Sequence, residues 1–494
     1  MMEKKRDFQG YDRFPETVIR GFDESVYGNG KEISDFFAAF RSKKDHVLAV
    51  ECYPGTDDQV KKMIAEWYQP DCTIDSDDIF YDGDILTEMM KPFLTDDRVR
   101  GVMCCGRMED YIDPSRLKAA QIKADRSGRV LIYGVGAGLV KRADTLIYCD
   151  LARWEITLRY RRGMPNFKQK NYNEDPLRKI KRGYFVEWRL ADKRKMEIIE
   201  IPAMDLVLYQ PEKLLGMKNY CRFGAEFPIR FDFLDTIGGQ NLSLQVHPLT
   251  EYIRSHYGMT YTQDESYYIL DAAEGAVVYL GLKDGIDPGK MEEDLREAQK
   301  GTYPFPAEQY VNRFPAKKHD HFLIPAGTVH CSGANVMVLE VSATPYNFTF
   351  KLWDWDRLGL DGRPRPIHID DGMKNIRWER TTDWVKANLI DRFEVLNHSE
   401  NVTEERTGLH ELEFIETRRI TFKEKTYHDS CDGFHICNLV DGSAAVIESV
   451  DGKFDPFNVY YAETFIIPAA VGKYTIRPLH NDETVMCLKA FVRN

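Results

Sequence analysis

The chain has 494 residues, is 43% hydrophobic and 12% aromatic, and carries a formal net charge of −12. That length suggests about three domains, the apolar content can bury sizeable cores, and the acidic balance argues against nucleic acid as the main partner. No apolar run approaches the roughly 20 residues of a membrane span, and the N-terminus MMEKKRDFQGYDRF lacks the apolar core of a signal peptide. None of the ten cysteines is spaced C-x-x-C, and Cys149, Cys437 and Cys487 sit in apolar strand-like runs. That usage reads as buried thiols in a reducing cytoplasm.

Residues 1–200 read as an α/β unit. HVLAVECYPG is a strand ending in Pro54-Gly55, DDQVKKMIAEWY has helical periodicity, and GVMCCG, VLIYGVGAG and DTLIYCDL are short apolar runs suited to buried parallel strands. The order of these segments resembles that of a P-loop nucleoside or uridine kinase. The turn Tyr53-Pro54-Gly55-Thr56-Asp57-Asp58 departs from it, because it lacks the glycines and Lys that cradle phosphates and offers two carboxylates instead. The resemblance therefore implies a degenerate, kinase-like domain without phosphate chemistry. Gly134, Gly136 and Gly138 lack the last Gly of G-x-G-x-x-G, so turn chemistry explains them better than a dinucleotide site. Arg159–Lys195 is rich in Arg and Lys with Trp154, Tyr160, Tyr172 and Trp188 nearby or interleaved, and is partly neutralised by Glu174, Asp175 and Glu187. It reads as a solvated helical face, with an anion-binding lid as the alternative.

From Ala203 the pattern turns to β. PIRFDFLDT, NLSLQVH, SYYILD, AVVYLGL, HFLIPAG, NVMVLEVSA and FTFKLWDW recur at short intervals, which suits an antiparallel sandwich or small barrel. GIDPGKMEEDLREAQKG is a predicted helical insertion. Within NLSLQVH, Leu242, Leu244 and Val246 alternate with Ser243, Gln245 and His247, so Gln245 and His247 share a face. Glu265 opens the next strand, and His330 follows the Pro-Ala-Gly turn of HFLIPAGTVHCSG. Two imidazoles, a carboxylate and an amide would suit a borderline metal such as zinc. The spacings of 18 and 65 residues match no compact zinc motif, and a lone strand histidine is usually a satisfied one. The residues alone leave both readings open.

SLQVHP, a Glu 18 residues after its His, and later IPAGTVH resemble the signature of the zinc-dependent, cupin class of mannose-6-phosphate isomerases. The resemblance spans roughly residues 201–370 and continues in FDFLDTIGGQNLSLQVHP and VMVLEVSATPYNFTFKLWDWDR. It implies an aldose–ketose isomerase interconverting mannose 6-phosphate and fructose 6-phosphate through an enediol. It implies one zinc on His247, Glu265 and His330, with Gln245 as a fourth ligand in some members. Ser243 matches a residue contacting the substrate phosphate, and Gln263 stands where the family places a substrate-facing Lys. The family's catalytic Arg falls, after one extra residue, on Lys351. These two departures leave open a metal-binding sugar-sensing cupin of low turnover, or an isomerase or epimerase for a related sugar phosphate.

A second β unit closes the chain with FHICNLVDGSAAVIES, residues 458–467 and TVMCLKAFV. AETFIIPAAVGKYTI repeats the grammar of HFLIPAGTVHCSG, so a double cupin is expected, with domains at 1–200, 201–395 and 396–494. The second copy has Tyr474 near the place of His330 and no Q-x-H, and His435 reads as structural.

Overall fold

The computed structural model describes residues 27–493 except 98–99, 103, 105, 126–127, 150, 152, 185–205, 208–209, 344–347, 360–364 and 409–412. It divides into two compact units, one holding residues 27–184 and the other residues 206–493. No helix among the described residues is long and apolar enough to cross a membrane.

In the first unit, β1 (His46–Cys52), β2 (Cys72–Asp75), β3 (Arg129–Gly134) and β4 (Thr145–Cys149) form a parallel sheet in the order β2-β3-β1-β4. Every residue of β1 is buried, as expected of a central strand covered on both faces. Its one carboxylate, Glu51, does not escape to solvent. Glu51 accepts hydrogen bonds from the backbone N–H of Gly136 (2.6 Å) and Gly138 (2.8 Å), while Asp77 accepts from that of Val135 (2.7 Å). The glycine-rich stretch is thus a turn folded around the protein's own carboxylates. Gly134 and Gly136 have φ of 128° and 69°, which a side chain would disfavour. Burial raises Glu51 to about 7 and Asp77 to about 6.

The second unit is antiparallel. Its first half comprises β5 (Arg230–Asp235), β6 (Leu244–Val246), β7 (Glu265–Ala272), β8 (Val277–Leu282), β9 (Val311–Pro315), β10 (His321–Ile324), β11 (His330–Ser332), β12 (Val336–Ser342) and β13 (Phe350–Trp353). They build two facing sheets, β10-β7-β12-β5 and β13-β6-β11-β8-β9. The polar insertion forms a helix at Pro288–Gln299, with Asp287 accepting from the N–H groups of Gly289 and Lys290 as its cap.

The second half comprises β14 (Glu394–His398), β15 (Val402–Arg406), β16 (Ile415–Phe422), β17 (Thr426–Asp429), β18 (His435–Asp441), β19 (Ala444–Ser449), β20 (Phe457–Tyr460), β21 (Thr464–Ile467), β22 (Lys473–Pro478) and β23 (Val485–Val492). Its sheets run β14-β15-β16-β23-β18-β21 and β17-β22-β19-β20. Strands β16 to β23 therefore repeat the spatial order of β5 to β12, strand for strand. β13 is an addition to the first copy, and β14 with β15 to the second. This is the internal repeat that the two Pro-Ala turns announce.

The copies share a core. Tyr268, Leu270, Leu339 and Val341 of β7 and β12 join Ile436, Val440, Leu488 and Ala490 of β18 and β23 in one buried cluster. The other faces of β7 and β12 look into the first sandwich, where Tyr267, Ile269 and Val338 are buried. Such strands, apolar on both faces, make any interior charge conspicuous.

A raised carboxyl holds its proton more tightly in the folded chain than in the unfolded one. The contribution of Glu51 to stability is therefore present below pH 4.5 and lost as the pH rises towards about 7. Glu51→Gln should narrow the stability difference between pH 5 and pH 8 by roughly 1–3 kcal/mol. Urea unfolding read by pulsed hydrogen exchange at the amides of β1 and β3 checks this.

Candidate metal centre

The first sandwich gathers His247, Glu265 and His330 in its interior, each buried. Glu265 opens β7, His330 opens β11, and His247 directly follows β6. One oxygen of Glu265 lies 2.9 Å from Nε2 of His330 and the other 3.1 Å from Nε2 of His247. The two rings stack with centroids 4.9 Å apart, and the three ligand atoms lie within 4.8 Å of one another.

The other ring nitrogens decide what this cluster can hold. Nδ1 of His247 is 2.9 Å from the carbonyl oxygen of Phe348, and Nδ1 of His330 is 2.9 Å from that of Thr328. A carbonyl only accepts, so each Nδ1 carries a proton, and in the neutral form of each ring the lone pair of Nε2 is turned towards Glu265. Nε2 of His247 and Oε1 of Glu265, both buried, make no hydrogen bond among the described residues. Lone pairs converging without a proton between them suit a divalent cation, and the carbonyls orient the imidazoles as ligand partners do. Gln245 stands directly opposite His330, its Nε2 3.1 Å from the ring. The two ends of an amide are exchanged by a half turn, which would present Oε1 as a fourth ligand.

Around this cluster lies a polar shell. Gln263 donates to Glu265 (2.8 Å), comes within 3.4 Å of Glu340, and accepts from the N–H of Phe348 (2.9 Å). Ser243 is buried immediately before β6, continuing the alternation with Gln245 and His247. Lys351 of β13 stands opposite Gln245 on the far side of β6, so Lys351, Gln245 and His330 share one face across three strands. Its side chain is 30% exposed, with Nζ 3.4 Å from Asp354 Oδ2. Burial pushes this ammonium below its ordinary value. The structure thus gathers the sequence-predicted site residues around the interior of one sandwich, Glu265 and Gln263 on the side of one sheet and the others on that of the facing sheet.

Two further residues escaped the sequence reading. Glu340 faces the same interior from β12, paired with Arg230 of β5 at 2.6 Å and accepting from Ser342 Oγ at 2.9 Å. Burial first, then the charge of Glu265, raises Glu340 to about 8. The signal was a carboxylate inside the apolar run VMVLEVSA, and an Arg just ahead of FDFLD.

Among its described residues the first unit offers no comparable centre. At the turn after β1, Asp57 accepts from the N–H of Gln59 and caps the helix Asp58–Tyr68, so its N-terminus serves the chain's own carboxylate. Arg159 and Arg162 both bind Glu155, at 2.8 and 2.7 Å, in keeping with a solvated face. Residues 185–195 of that basic stretch, with Glu187 and Trp188, lie outside the described residues.

A family model described as "Domain of unknown function (DUF8485)" matches residues 32–212. It lends no support to the kinase resemblance expected for this region. The chain is related in sequence to mannose-6-phosphate isomerases: it is 30% identical over 153 residues to mannose-6-phosphate isomerase ManA of Bacillus subtilis, covering 31% of this chain and 45% of that protein. It is 31% identical over 148 residues to mannose-6-phosphate isomerase of Streptococcus mutans, covering 30% and 43%. The chain thus spans less than half the length of these curated relatives. Among solved structures, the mannose 6-phosphate isomerase of Bacillus subtilis is similar with a TM-score of 0.47 and 17% identity, over 58% of this chain and 80% of that one.

The purified chain should take up about one equivalent of zinc, and His247→Ala should abolish uptake, since a remaining amide is a weak substitute for imidazole. Elemental analysis after zinc soaking, with less than about a tenth of an equivalent retained, would refute the site. The first unit should not turn over ATP, because Asp57 and Asp58 repel a triphosphate and the chain has no Gly-Lys-Ser/Thr loop to hold one. ATP hydrolysis that survives His247→Ala would contradict this.

Proposed function

We propose that the unit holding residues 206–493 is a zinc-dependent aldose–ketose isomerase acting on a sugar phosphate, with mannose 6-phosphate and fructose 6-phosphate as the pair. The observation that carries the reading is the pair of imidazoles locked by backbone carbonyls, both presenting Nε2 to Glu265. The sequence relationship to mannose-6-phosphate isomerases supports the substrate class.

His247, Glu265 and His330 would hold the metal, with Gln245 as the fourth ligand. A bound zinc would supply polarisation of the substrate carbonyl. The remaining work falls to the chain's own groups. Isomerisation moves a proton between C1 and C2, so a group able both to take and to give one must face the sugar. Glu340 is suited to this: it faces the same interior, and its carboxyl is held near neutrality by burial while Arg230 keeps it oriented. Lys351 would stabilise the enediolate as a point charge from the neighbouring strand. Ser243 would offer its hydroxyl to the phosphate. Gln263 in this reading orients Glu265 through its amide, and its neutral side chain contributes no charge to the substrate.

One observation favours a second reading, a related substrate or slow turnover. Gln263 is fully engaged with Glu265 and the backbone of Phe348, and the Lys351 ammonium leans on Asp354. The site therefore presents less free positive charge to a sugar phosphate than the family pattern implies. A coupled assay of the zinc-loaded chain with mannose 6-phosphate and fructose 6-phosphate decides between the readings. Absence of turnover above the zinc-free chain would reject isomerisation of this pair.

Lys351→Ala should lower kcat by about a hundredfold, the usual scale for removing one electrostatic stabiliser, with zinc content unchanged. Lys351→Arg should preserve or raise turnover if the Lys is a weaker version of an Arg, and lower it if the pocket is built around another substrate. Steady-state rates for Lys351→Ala within about twofold of the parent would remove this residue from the mechanism.

A further inference from the structure

The strands alone do not hold the metal centre together. Between β10 and β11 runs a turn of residues 325–328, and each candidate ligand, or its neighbour in sequence, is hydrogen-bonded to it. The N–H of Gly327 donates to the carbonyl oxygen of His247 at 3.0 Å. The N–H of Ala326 donates to the carboxylate of Asp264, the residue before Glu265, at 2.7 Å. The carbonyl oxygen of Thr328 is the one that accepts from Nδ1 of His330. Three ligands from two facing sheets are thus referred to four residues of backbone.

The turn does not place itself. Pro325 offers no N–H, and Gly327 has a φ of 88°, which leaves the backbone free of steric preference there. The N–H and hydroxyl of Thr328 both donate to the carbonyl of Pro325, at 3.1 and 2.7 Å, and so close the loop without orienting it. Orientation comes from Arg380. Its Nη1 lies 2.8 Å from the carbonyl oxygen of Pro325, 2.7 Å from that of Ala326 and 2.6 Å from Oγ1 of Thr328. Two N–H groups are shared among three oxygens, and bonds from a cation are the strong kind.

The guanidinium is itself fixed. Arg380 is buried, its side chain lies 5.4 Å from the ring centroid of Trp384, and its carbonyl accepts from the N–H of Leu282 at 3.0 Å. Leu282 ends β8, the strand that sets Leu280 opposite His330. Burial lowers the Arg380 side chain to about 10, which leaves it charged at neutral pH. A buried cation whose Nη1 is spent on neutral oxygens is a poor source of stability. Its contribution is placement.

We propose that Arg380 is a positioning residue of the metal centre, acting through the turn of residues 325–328 to hold the carbonyl of Thr328 against Nδ1 of His330. Fixing that carbonyl fixes the tautomer of one ligand imidazole. Through Gly327 and Ala326 the same grip sets the spacing of His247 and Glu265 from it. The inference rests on the zinc reading of the centre and adds to it a residue that is not a ligand.

Exchange of the ring N–H protons in the zinc-free, ¹⁵N-histidine-labelled chain tests this, together with zinc affinity measured by competition with a chelator. The Nδ1–H protons of His247 and His330 should both exchange slowly in the parent. Arg380→Met should speed exchange at His330 by at least about tenfold and leave His247, locked by Phe348, unchanged. Zinc affinity should fall by about ten- to a hundredfold, and Arg380→Lys should recover most of it. Thr328→Val, which removes one of the three oxygens and no charge, should act in the same direction by about threefold, should Arg380→Met fail to fold. Amide exchange in β18 and β23 should stay as in the parent. His330 equally protected in Arg380→Met and Thr328→Val, or zinc affinity unchanged in both, would overturn the proposal. So would joint loss of the His247 and His330 signals, the collapse that a merely structural residue would cause. A parent chain that keeps both protected N–H groups yet takes up no zinc would reject the metal reading and this role with it, and the zinc-free spectra tell that failure from the others.

Discussion

The constraint on which the functional half depends is the fixing of two imidazole tautomers by two backbone carbonyls. Without the carbonyls of Phe348 and Thr328, His247 and His330 could turn an N–H towards Glu265 and form an ordinary buried ion pair. With them, three lone-pair donors meet in a space closed to water, an arrangement that repels itself until a cation enters. Everything else follows from holding that arrangement still. Gln263 ties Glu265 to the backbone of Phe348, so the ligand carboxylate and one locking carbonyl belong to the same short network. The register of β13, β6 and β11 lines up Lys351, Gln245 and His330.

How much of this could be read in advance differs from residue to residue. The alternation around Gln245 and His247 was legible because strand periodicity is local, and so was the turn that precedes His330. The tautomer lock was not, since the atoms responsible are backbone oxygens, and that of Phe348 lies 101 positions from His247. Glu340 lay in plain view inside an apolar strand, but only the register beside β7 makes it a neighbour of the His247–Glu265–His330 cluster. The same holds for Glu51: a lone acid in HVLAVEC finds its partners at Gly136 and Gly138, 85 and 87 residues away. In the first unit an α/β sheet was foreseeable from short apolar runs, but the placement of β3 between β2 and β1 was not. Short apolar runs carry length and burial, and nothing about which neighbour they choose.

The duplicated architecture explains why charges can be kept in such strands at all. β7, β12, β18 and β23 are covered on both faces, so their outward residues are free to be Leu, Val and Ala, and these supply the cohesion. The inward residues are then released from carrying stability. Glu340 lies 2.6 Å from Arg230 and Lys489 3.9 Å from Glu404, so each buried charge has a partner, yet taking such a pair out of water still costs several kcal/mol per ion. A two-faced sheet can bear that cost on one face because the other is largely apolar. Divergence between the two copies is accordingly concentrated on the inner walls: the outer residues Leu339 and Leu488 are the same, and the residues that follow them have opposite charge.

This bears on what a domain is in this chain. The boundary expected near residue 395 separates two repeats in sequence, but not two independent cores. Cutting there would expose Tyr268, Leu270, Leu339 and Val341 together, a contiguous apolar patch of the kind that leads to aggregation. The first sandwich would keep His247, Glu265 and His330 and lose the face that holds β7 and β12 in register. Because Glu265 lies on β7 and Glu340 on β12, a slip of one residue between these strands would turn one of the two carboxylates away from the centre. The second sandwich therefore acts on the first centre through packing alone, by keeping the backs of two strands dry.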